Sequence, residues 1–121
     1  MLQLYTRKIE ATGDDQEINL GFKPSWVKVI NKDKVGTEDN KYALEWFDGM
    51  DEGEALEYYV AKDSGSEASV QHNDSAGIKT VEKSEVDEDG DQVTFDGFFG
   101  IEIPGDFSSE NDTLFLMAAR K

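Results

Sequence analysis

Two strand-like segments in the first half of the chain constrain its fold more than any other part of the sequence. The first, Trp-Val-Lys-Val-Ile at 26–30, follows a turn containing Pro24 and consists largely of β-branched and aromatic residues, which are typical of strands. The second, Tyr42–Phe47, places its first, third and fifth residues, all large and apolar or aromatic, on one face. Both tryptophans lie in these segments, and each such ring buries roughly 150–250 Å². We therefore expect the fold to be built on this strand pair.

Short apolar or alternating segments, separated by turn residues, continue along the rest of the chain. The segment Glu54–Ala61 fits either a helix or a strand, and its Tyr-Tyr-Val run favours a strand. About eight to ten short strands with regular turn signals predict an all-β fold, a single-domain antiparallel β-sandwich (jelly-roll or Ig-like) over residues 1–121. The other predicted strands are Leu2–Glu10 and Gln16–Leu20, expected to form a hairpin, and Ala68–Gln71, Ile78–Val81, Gln92–Phe95, Gly97–Ile103 and Thr113–Ala119.

The charge balance limits which partners the chain can have. Twenty-seven acidic and twelve basic residues give a formal net charge of −15, which disfavours nucleic acid and anionic membranes as partners because both require a basic surface. Two interpretations of the acidity remain: adaptation to high salt, where charge repulsion is screened, or mimicry of DNA phosphates. Acidic residues spread along the chain favour the former. No signal peptide or membrane-spanning run is visible, and we expect a soluble protein made in a cytoplasm.

One acidic segment resembles a calcium-binding loop. Residues 85–96 carry oxygen-bearing side chains at alternate positions, with Gly90 available for the sharp turn. The pattern departs from an EF-hand because Glu85 opens it, Asp96 occupies the place of the closing bidentate Glu, and the flanks read as strands. A solvated hairpin tip, which needs no ion, is the simpler interpretation.

Other candidate sites are weaker. His72, the single histidine, lies in a predicted turn near Ser69 and Ser75, but no nucleophile motif surrounds it. Two Asn-x-Ser/Thr patterns, at 73–75 and 111–113, fit chance matches in a chain without a secretion signal. The chain has no cysteine, which excludes disulfides and thiolate zinc sites.

A pair of carboxylates beside aromatic residues is the last candidate. Glu45 and Asp48 flank Trp46 and Phe47, as carboxylates flank aromatics in sugar-binding grooves and glycosidases. Glu45 is more simply the outward residue of a half-buried strand. We therefore predict no catalytic, cofactor-binding or metal-binding residue, no cofactor and no enzymatic activity.

The order of several segments resembles that of small virion proteins of tailed viruses. The segments are Leu-Gly-Phe-Lys-Pro-Ser-Trp-Val-Lys-Val-Ile-Asn at 20–31, Glu-Trp-Phe-Asp-Gly-Met at 45–50, Gly-Ile at 77–78, Gly-Phe-Phe-Gly-Ile-Glu-Ile at 97–103 and the closing strand at 114–119. The resemblance spans most of the chain. Its two acidic loops, Val35–Asn40 and Glu82–Asp91, are longer than the family pattern leads us to expect.

The resemblance implies a β-sandwich protein that decorates and stabilises the capsid shell, located on the virion surface after synthesis in the host cytoplasm. The implied partner is the major capsid protein, and the implied assembly is a homo-oligomer, for which a trimer is one option. The acidity would suit a halophilic or marine host. We expect Met1–Tyr5 or the strand edges to contact the shell and the acidic tips to face solvent.

The alternative function is a fibre or tail-tip domain that binds a host glycan or receptor. Such a domain would expose Trp26, Trp46 or Phe98 as stacking platforms, so the exposure of these rings discriminates between the two functions. A calcium-stabilised extracellular module is a third interpretation, which predicts a calcium-dependent melting temperature.

Overall fold

A computed structural model of the chain describes residues 3–35, 41–60, 68–86 and 92–120, with the side chains at 3, 68, 83–86 and 92–98 not described. These ranges contain nine β-strands and one short 3-10 helix, at Gly105–Phe107. The strands are β1 Gln3–Glu10, β2 Gln16–Asn19, β3 Pro24–Asn31, β4 Lys41–Phe47, β5 Ala55–Val60, β6 Ala68–Asn73, β7 Lys79–Val86, β8 Gln92–Ile103 and β9 Thr113–Arg120.

Six of the strands form one antiparallel sheet in the order β1-β9-β3-β4-β5-β6. The predicted pair is at its centre: β3 and β4 are adjacent, with Val27 opposite Trp46 and Val29 opposite Leu44. Glu54–Ala61 contains β5, which confirms the strand over the helix. The expectation that β3 and β4 organise the fold is therefore confirmed.

The other three strands form a smaller antiparallel sheet, β2-β8-β7, which covers one face of the larger sheet. Side chains from both sheets share one core, because directly opposed residues lie on the same face and alternate residues of each strand point inward. The fold is thus the predicted β-sandwich. The core includes Ile18, Ile101 and Ile103 from the small sheet and Val27, Val29, Leu44, Trp46, Leu114 and Leu116 from the large one.

The predicted hairpin of the first two strands is wrong. β1 pairs along its whole length with β9, whereas β2 pairs with β8 in the other sheet. The turn at Thr12–Asp15 therefore carries the chain from one sheet to the other, which places Ile9 and Ile18 in one core. Gly100 permits the pairing of β2, because a Cβ at this position would lie 1.9 Å from the Ile18 carbonyl oxygen.

Several predicted boundaries also need correction. Gln92–Ile103 is one twelve-residue strand, not two, and β7 extends through Val86 into the predicted acidic tip. β6 extends to Asn73, so His72 lies in a strand and not in a turn. The predicted loop after Pro104 contains the 3-10 helix, which buries Phe107 completely. Residues 36–40, 61–67 and 87–91 of the predicted loops lie outside the described residues.

Candidate functional site

The larger sheet has a second face, which no part of the described chain covers with another sheet. We call it the outer face. Cross-strand register assigns its members, because residues opposite each other in a ladder share a face. They are Leu4, Thr6 and Lys8 of β1, Phe115, Met117 and Ala119 of β9, Trp26, Lys28 and Ile30 of β3, Ala43, Glu45 and Phe47 of β4, Leu56 and Tyr58 of β5, and Val70 and His72 of β6.

Exposed apolar side chains concentrate on the outer face. Of the five large hydrophobic residues exposed in the described ranges, four belong to it: Leu4 at 59%, Val70 at 54%, Phe47 at 43% and Phe115 at 40%. The fifth, Val35, lies after β3 at 55%. Single exposed apolar residues are ordinary, and these four lie on four different strands, with the half-buried Trp26, Ile30 and Met117 on the strands between them. Their placement on one face of one sheet makes that face the candidate interaction surface.

A carboxylate held by aromatic donors lies at the centre of the outer face. The Trp26 indole Nε1–H donates to Glu45 Oε2 at 2.6 Å, and the Tyr58 hydroxyl donates to Glu45 Oε1. Lys28 Nζ lies 4.7 Å from the centre of the Tyr58 ring, within the range of a cation–π contact. Glu45 is therefore fixed in place by residues from both neighbouring strands.

These contacts shift the pKa values of Glu45 and Tyr58. Desolvation acts to raise the pKa of Glu45, but the hydrogen bonds from Trp26 and Tyr58 and the charge of Lys28 outweigh it and lower that pKa. The hydrogen bond to Glu45, together with burial, raises the pKa of Tyr58 to about 12. The carboxylate thus stays ionised and the phenol stays protonated at neutral pH, which makes the pair a fixed contact and not a proton-transfer couple.

Among the described residues the outer face has only a small excess of acid, in contrast to the chain as a whole. Its charged side chains are Lys8 and Lys28 against Glu45, with Glu10 at the end of β1 and Glu54, beside His72, at its margins. Two positive charges there stand against three negative ones, whereas the whole chain has a net charge of −15. The outer face is therefore both more apolar and less acidic than the chain's composition alone would lead us to expect.

The candidate sugar groove formed by Glu45 and Asp48 around Trp46 and Phe47 is not assembled. Trp46 points into the core and is 4% exposed, with its indole Nε1–H directed at the Asp51 carbonyl at 3.4 Å. Glu45 and Phe47 point to the opposite, outer face, as the alternation of a strand requires. Trp26, which the sequence prediction assigned to the core pair, is the tryptophan that contacts Glu45.

His72 does not form a nucleophile–base pair. Its side chain is on the outer face at the edge strand β6, about half exposed, and its Nε2 lies 3.6 Å from Glu54 Oε1. Ser75, one of its predicted neighbours, instead donates its backbone N–H to Asn73 at 2.9 Å. The expectation that His72 is polar surface fits these contacts.

A second carboxylate is buried on the inner side of the large sheet. Glu57, 3% exposed, accepts hydrogen bonds from Gln71 Nε2 and Asn73 Nδ2, both at 2.8 Å, and lies 3.0 Å from Lys41 Nζ. Lys41 Nζ also contacts Asp106 Oδ2 at 3.2 Å. This network joins β4, β5 and β6 to the 3-10 helix. The side-chain amide of Asn73, which begins the Asn-x-Ser pattern at 73–75, donates its hydrogen bond within the network.

The network shifts the pKa of both charged partners. Burial acts to raise the pKa of Glu57, but the hydrogen bonds from Asn73, Lys41 and Gln71 outweigh it and lower that pKa. Burial likewise acts to lower the pKa of Lys41, and its contacts with Glu57 and Asp106 raise it. Because every member has a partner, the network stabilises the fold and presents no free group to a ligand.

The remaining candidates are the acidic segment, the Phe98 ring and the N-terminal arm. The acidic segment 85–96 lies partly outside the described residues, and its side chains are not described. The Phe98 ring also lies outside the described side chains. Residues 3–5 of the proposed shell-contacting arm belong to β1 and pair with β9. Among the residues whose positions are described, no group of three or more His, Asp or Glu could hold a metal ion.

The outer face itself had a sequence signal that the strand predictions did not use. Phe115 and Met117 in β9, and Trp26 and Ile30 in β3, are large apolar residues out of phase with the core residues of the same strands. Strands that are apolar on both faces are expected where both faces are covered.

In the described ranges, no helix has the length and apolar character needed to cross a membrane. Comparison with protein-family models, curated proteins and solved structures yields no match.

Proposed function

We propose that this chain is a non-enzymatic structural protein that decorates and stabilises the capsid shell of a tailed virus. The observation that carries the proposal is the outer face: a sheet surface that no other sheet of the described residues covers, with four exposed large apolar residues and little excess acid on a strongly acidic chain. A surface of this kind gains free energy when protein covers it, at roughly 25 cal/mol per Å² of apolar area. Its function is therefore to be buried in an assembly.

The viral setting comes from the resemblance of the segments at 20–31, 45–50 and 97–103 to small virion proteins. In that setting the partner is the major capsid protein and the location is the capsid surface. A compact β-sandwich suits this role because it adds a rigid block and buried area to a shell under internal pressure. The excess acid would face solvent, where it keeps the particle soluble in high salt.

The alternative function is a fibre or tail-tip domain that binds a glycan. One observation favours it: Trp26, Phe47 and Tyr58 lie on the open face beside the Glu45 carboxylate, and aromatic rings with polar groups are the elements of sugar sites. Of the three proposed platforms, Trp46 does not contribute because it is buried, and the Phe98 ring lies outside the described side chains. Trp26 is also only half exposed.

Co-sedimentation with empty shells tests the proposed function. We expect the wild-type protein to pellet with shells at low and high salt and to saturate at a fixed ratio to the capsid protein. Substituting Phe47→Ser together with Phe115→Ser should weaken shell binding at least about tenfold, because two exposed rings of the outer face lose their apolar contacts.

Val35→Ser is the matched control for this experiment. It removes an equally exposed apolar side chain that lies outside the outer face, and it should bind shells as the wild type does. A folded wild-type protein that stays in the supernatant at every salt concentration would contradict the function. Retention on a glycan array in that case would favour the tail-tip alternative.

A further inference from the structure

We propose that the partner covering the outer face is a second copy of this chain, in a two-fold symmetric dimer with the two outer faces packed against each other. The inference rests on the proposed function only in taking the outer face as an assembly surface, and it names the occupant of that surface. The dimer would then be the form of the free protein, and attachment to a shell would exchange the second copy for capsid protein on the same face. This makes the assembly a dimer and not the trimer considered from the sequence.

Charge restricts where two copies of this chain can meet. Each copy has a net charge of −15, so contact through an acidic surface would bring like charges together, which costs several kcal/mol. On the outer face Lys8 and Lys28 offset two of the three carboxylates, which are Glu10, Glu45 and Glu54. A second, equally acidic copy therefore meets far less repulsion at this face than the net charge of the chain would give.

The register of the sheet makes the outer face complementary to itself. In the order β1-β9-β3-β4-β5-β6, the midpoint of the sheet falls between β3 and β4. A two-fold axis above this midpoint and parallel to the strands places β3 over the second copy's β4, β9 over its β5, and β1 over its β6. Residues in one cross-strand row stay in the same row under this rotation.

The facing residues of the four central strands match in chemistry as well as in position. Lys28 and Glu45 are opposite each other in the central pair, so each Lys28 meets the second copy's Glu45. The other central pairs join apolar or aromatic residues: Trp26 with Phe47, Ile30 with Ala43, Met117 with Leu56, and Phe115 with Tyr58. At the two edges, Thr6 faces His72 and Lys8 faces Val70.

Burying Glu45 at the centre of such an interface does not leave it unpaired. Its two oxygens already accept hydrogen bonds from Trp26 and Tyr58, and Lys28 contacts the Tyr58 ring. Loss of water from an unpartnered carboxylate would be costly, but a carboxylate with its donors in place loses much less. The second copy's Lys28 adds an opposite charge.

The area of the face is that of a weak, reversible dimer. Six strands about 4.8 Å apart and three rows of outward residues about 7 Å apart cover on the order of 500–600 Å² per copy. Specific interfaces bury roughly 800 Å² per partner, with smaller ones known for weak complexes. We therefore expect a dimer that dissociates on dilution, and sheets packed at the small angle typical of aligned sandwiches.

Sedimentation equilibrium of the purified chain tests the inference. The wild type should show the mass of two chains at high concentration and of one on dilution. Lys28→Glu should weaken dimerisation by about a hundredfold or more, because it sets two carboxylates against each other at the centre. Lys32→Glu makes the same charge change at an exposed position outside the outer face and should leave the dimer largely intact.

Mixing two charge variants gives a sharper test. Lys28→Glu and Glu45→Lys should each be monomeric, but an equimolar mixture should form a heterodimer, since every central contact then joins a carboxylate to an ammonium group. Circular dichroism and melting confirm that each variant is folded. If Glu45→Lys does not fold, Phe115→Ser replaces it and should raise the dissociation constant about tenfold.

A wild-type monomer at all concentrations, a trimer, equal effects of Lys28→Glu and Lys32→Glu, or a folded mixture that stays monomeric would each overturn the inference. Its failure is separable from failure of the proposed function. A monomer that pellets with shells leaves the function standing without the dimer. A dimer that never pellets with shells leaves the dimer standing without the function.

Discussion

Two carboxylates of this chain show how the same residue type acquires different roles from its position in a sheet. Glu57 points inward and is closed off by Lys41, Gln71 and Asn73. Glu45, on the neighbouring strand, points outward and is held by Trp26 and Tyr58. Both keep their charge because donors outweigh desolvation, but only Glu45 lies where a partner could reach it.

Glu57→Gln should lower the free energy of unfolding by about 1.5–3 kcal/mol, the range for hydrogen bonds to charged groups. Because the pKa of Glu57 in the folded chain is lowered from its usual 4.5, its contribution is present above that value and is lost as the pH falls through the folded pKa. The variant should therefore show a shallower loss of stability in acid.

Urea denaturation across the acid range measures this effect. Glu110→Gln, at an exposed residue, is the control and should follow the wild-type curve. A Glu57→Gln protein with the stability and acid dependence of the wild type would show that the buried network contributes nothing.

At the scale of strands, the pairing of β2 with β8 depends on one glycine. Gly100 lies opposite Asn19, and a Cβ on it would meet the Ile18 carbonyl oxygen at 1.9 Å. That neighbour is backbone and cannot rotate away. The small sheet therefore owes its close packing to the absence of a side chain at this position.

Gly100→Ala should destabilise the fold by at least about 2 kcal/mol through this clash. Gly21→Ala is the comparison, because nothing lies within 4 Å of a Cβ there and only the positive φ of 79° is strained, a cost of about 1 kcal/mol. Thermal melting of both variants measures which one is less stable, and we expect it to be Gly100→Ala. A Gly100→Ala protein with the melting temperature of the wild type would contradict the predicted clash.

Strand periodicity was sufficient to predict most of the strands but not their pairing. The residues of β3, β4 and β9 alternate with the period of two that predicts a strand, and all three segments are strands. The partners of β1 and β2 could not be predicted, because pairing depends on a C-terminal strand more than a hundred residues away and on Gly100. The sequence favours a hairpin of β1 and β2 because strands that follow each other in the chain commonly pair.

The candidate site was less predictable than the fold. Glu45 was identified as an outward residue, which its contacts confirm. The outer face as a whole was not, because it is assembled from five other strands by cross-strand register. Trp46 and Trp26 illustrate the limit: both lie in predicted strands, and only the register shows that one points inward and the other outward.

In the whole molecule, acidic residues are in large excess, but the outer face of the described sheet has little of that excess. A chain with a net charge of −15 repels copies of itself over most approaches, and salt shortens the range of that repulsion to about 3 Å at 1 M. The outer face is where association is least opposed. Self-association and shell attachment are therefore both expected to tolerate high salt.

Acrylamide quenching of single-tryptophan variants shows whether assembly buries the outer face. Trp46→Phe leaves Trp26 as the reporter of the outer face, and Trp26→Phe leaves the buried Trp46 as the control. We predict that Trp26 is quenched in dilute protein and becomes protected when the concentration is raised or shells are added, while Trp46 stays protected throughout. Equal quenching of Trp26 in dilute and assembled protein would contradict the assignment of the outer face as the assembly surface.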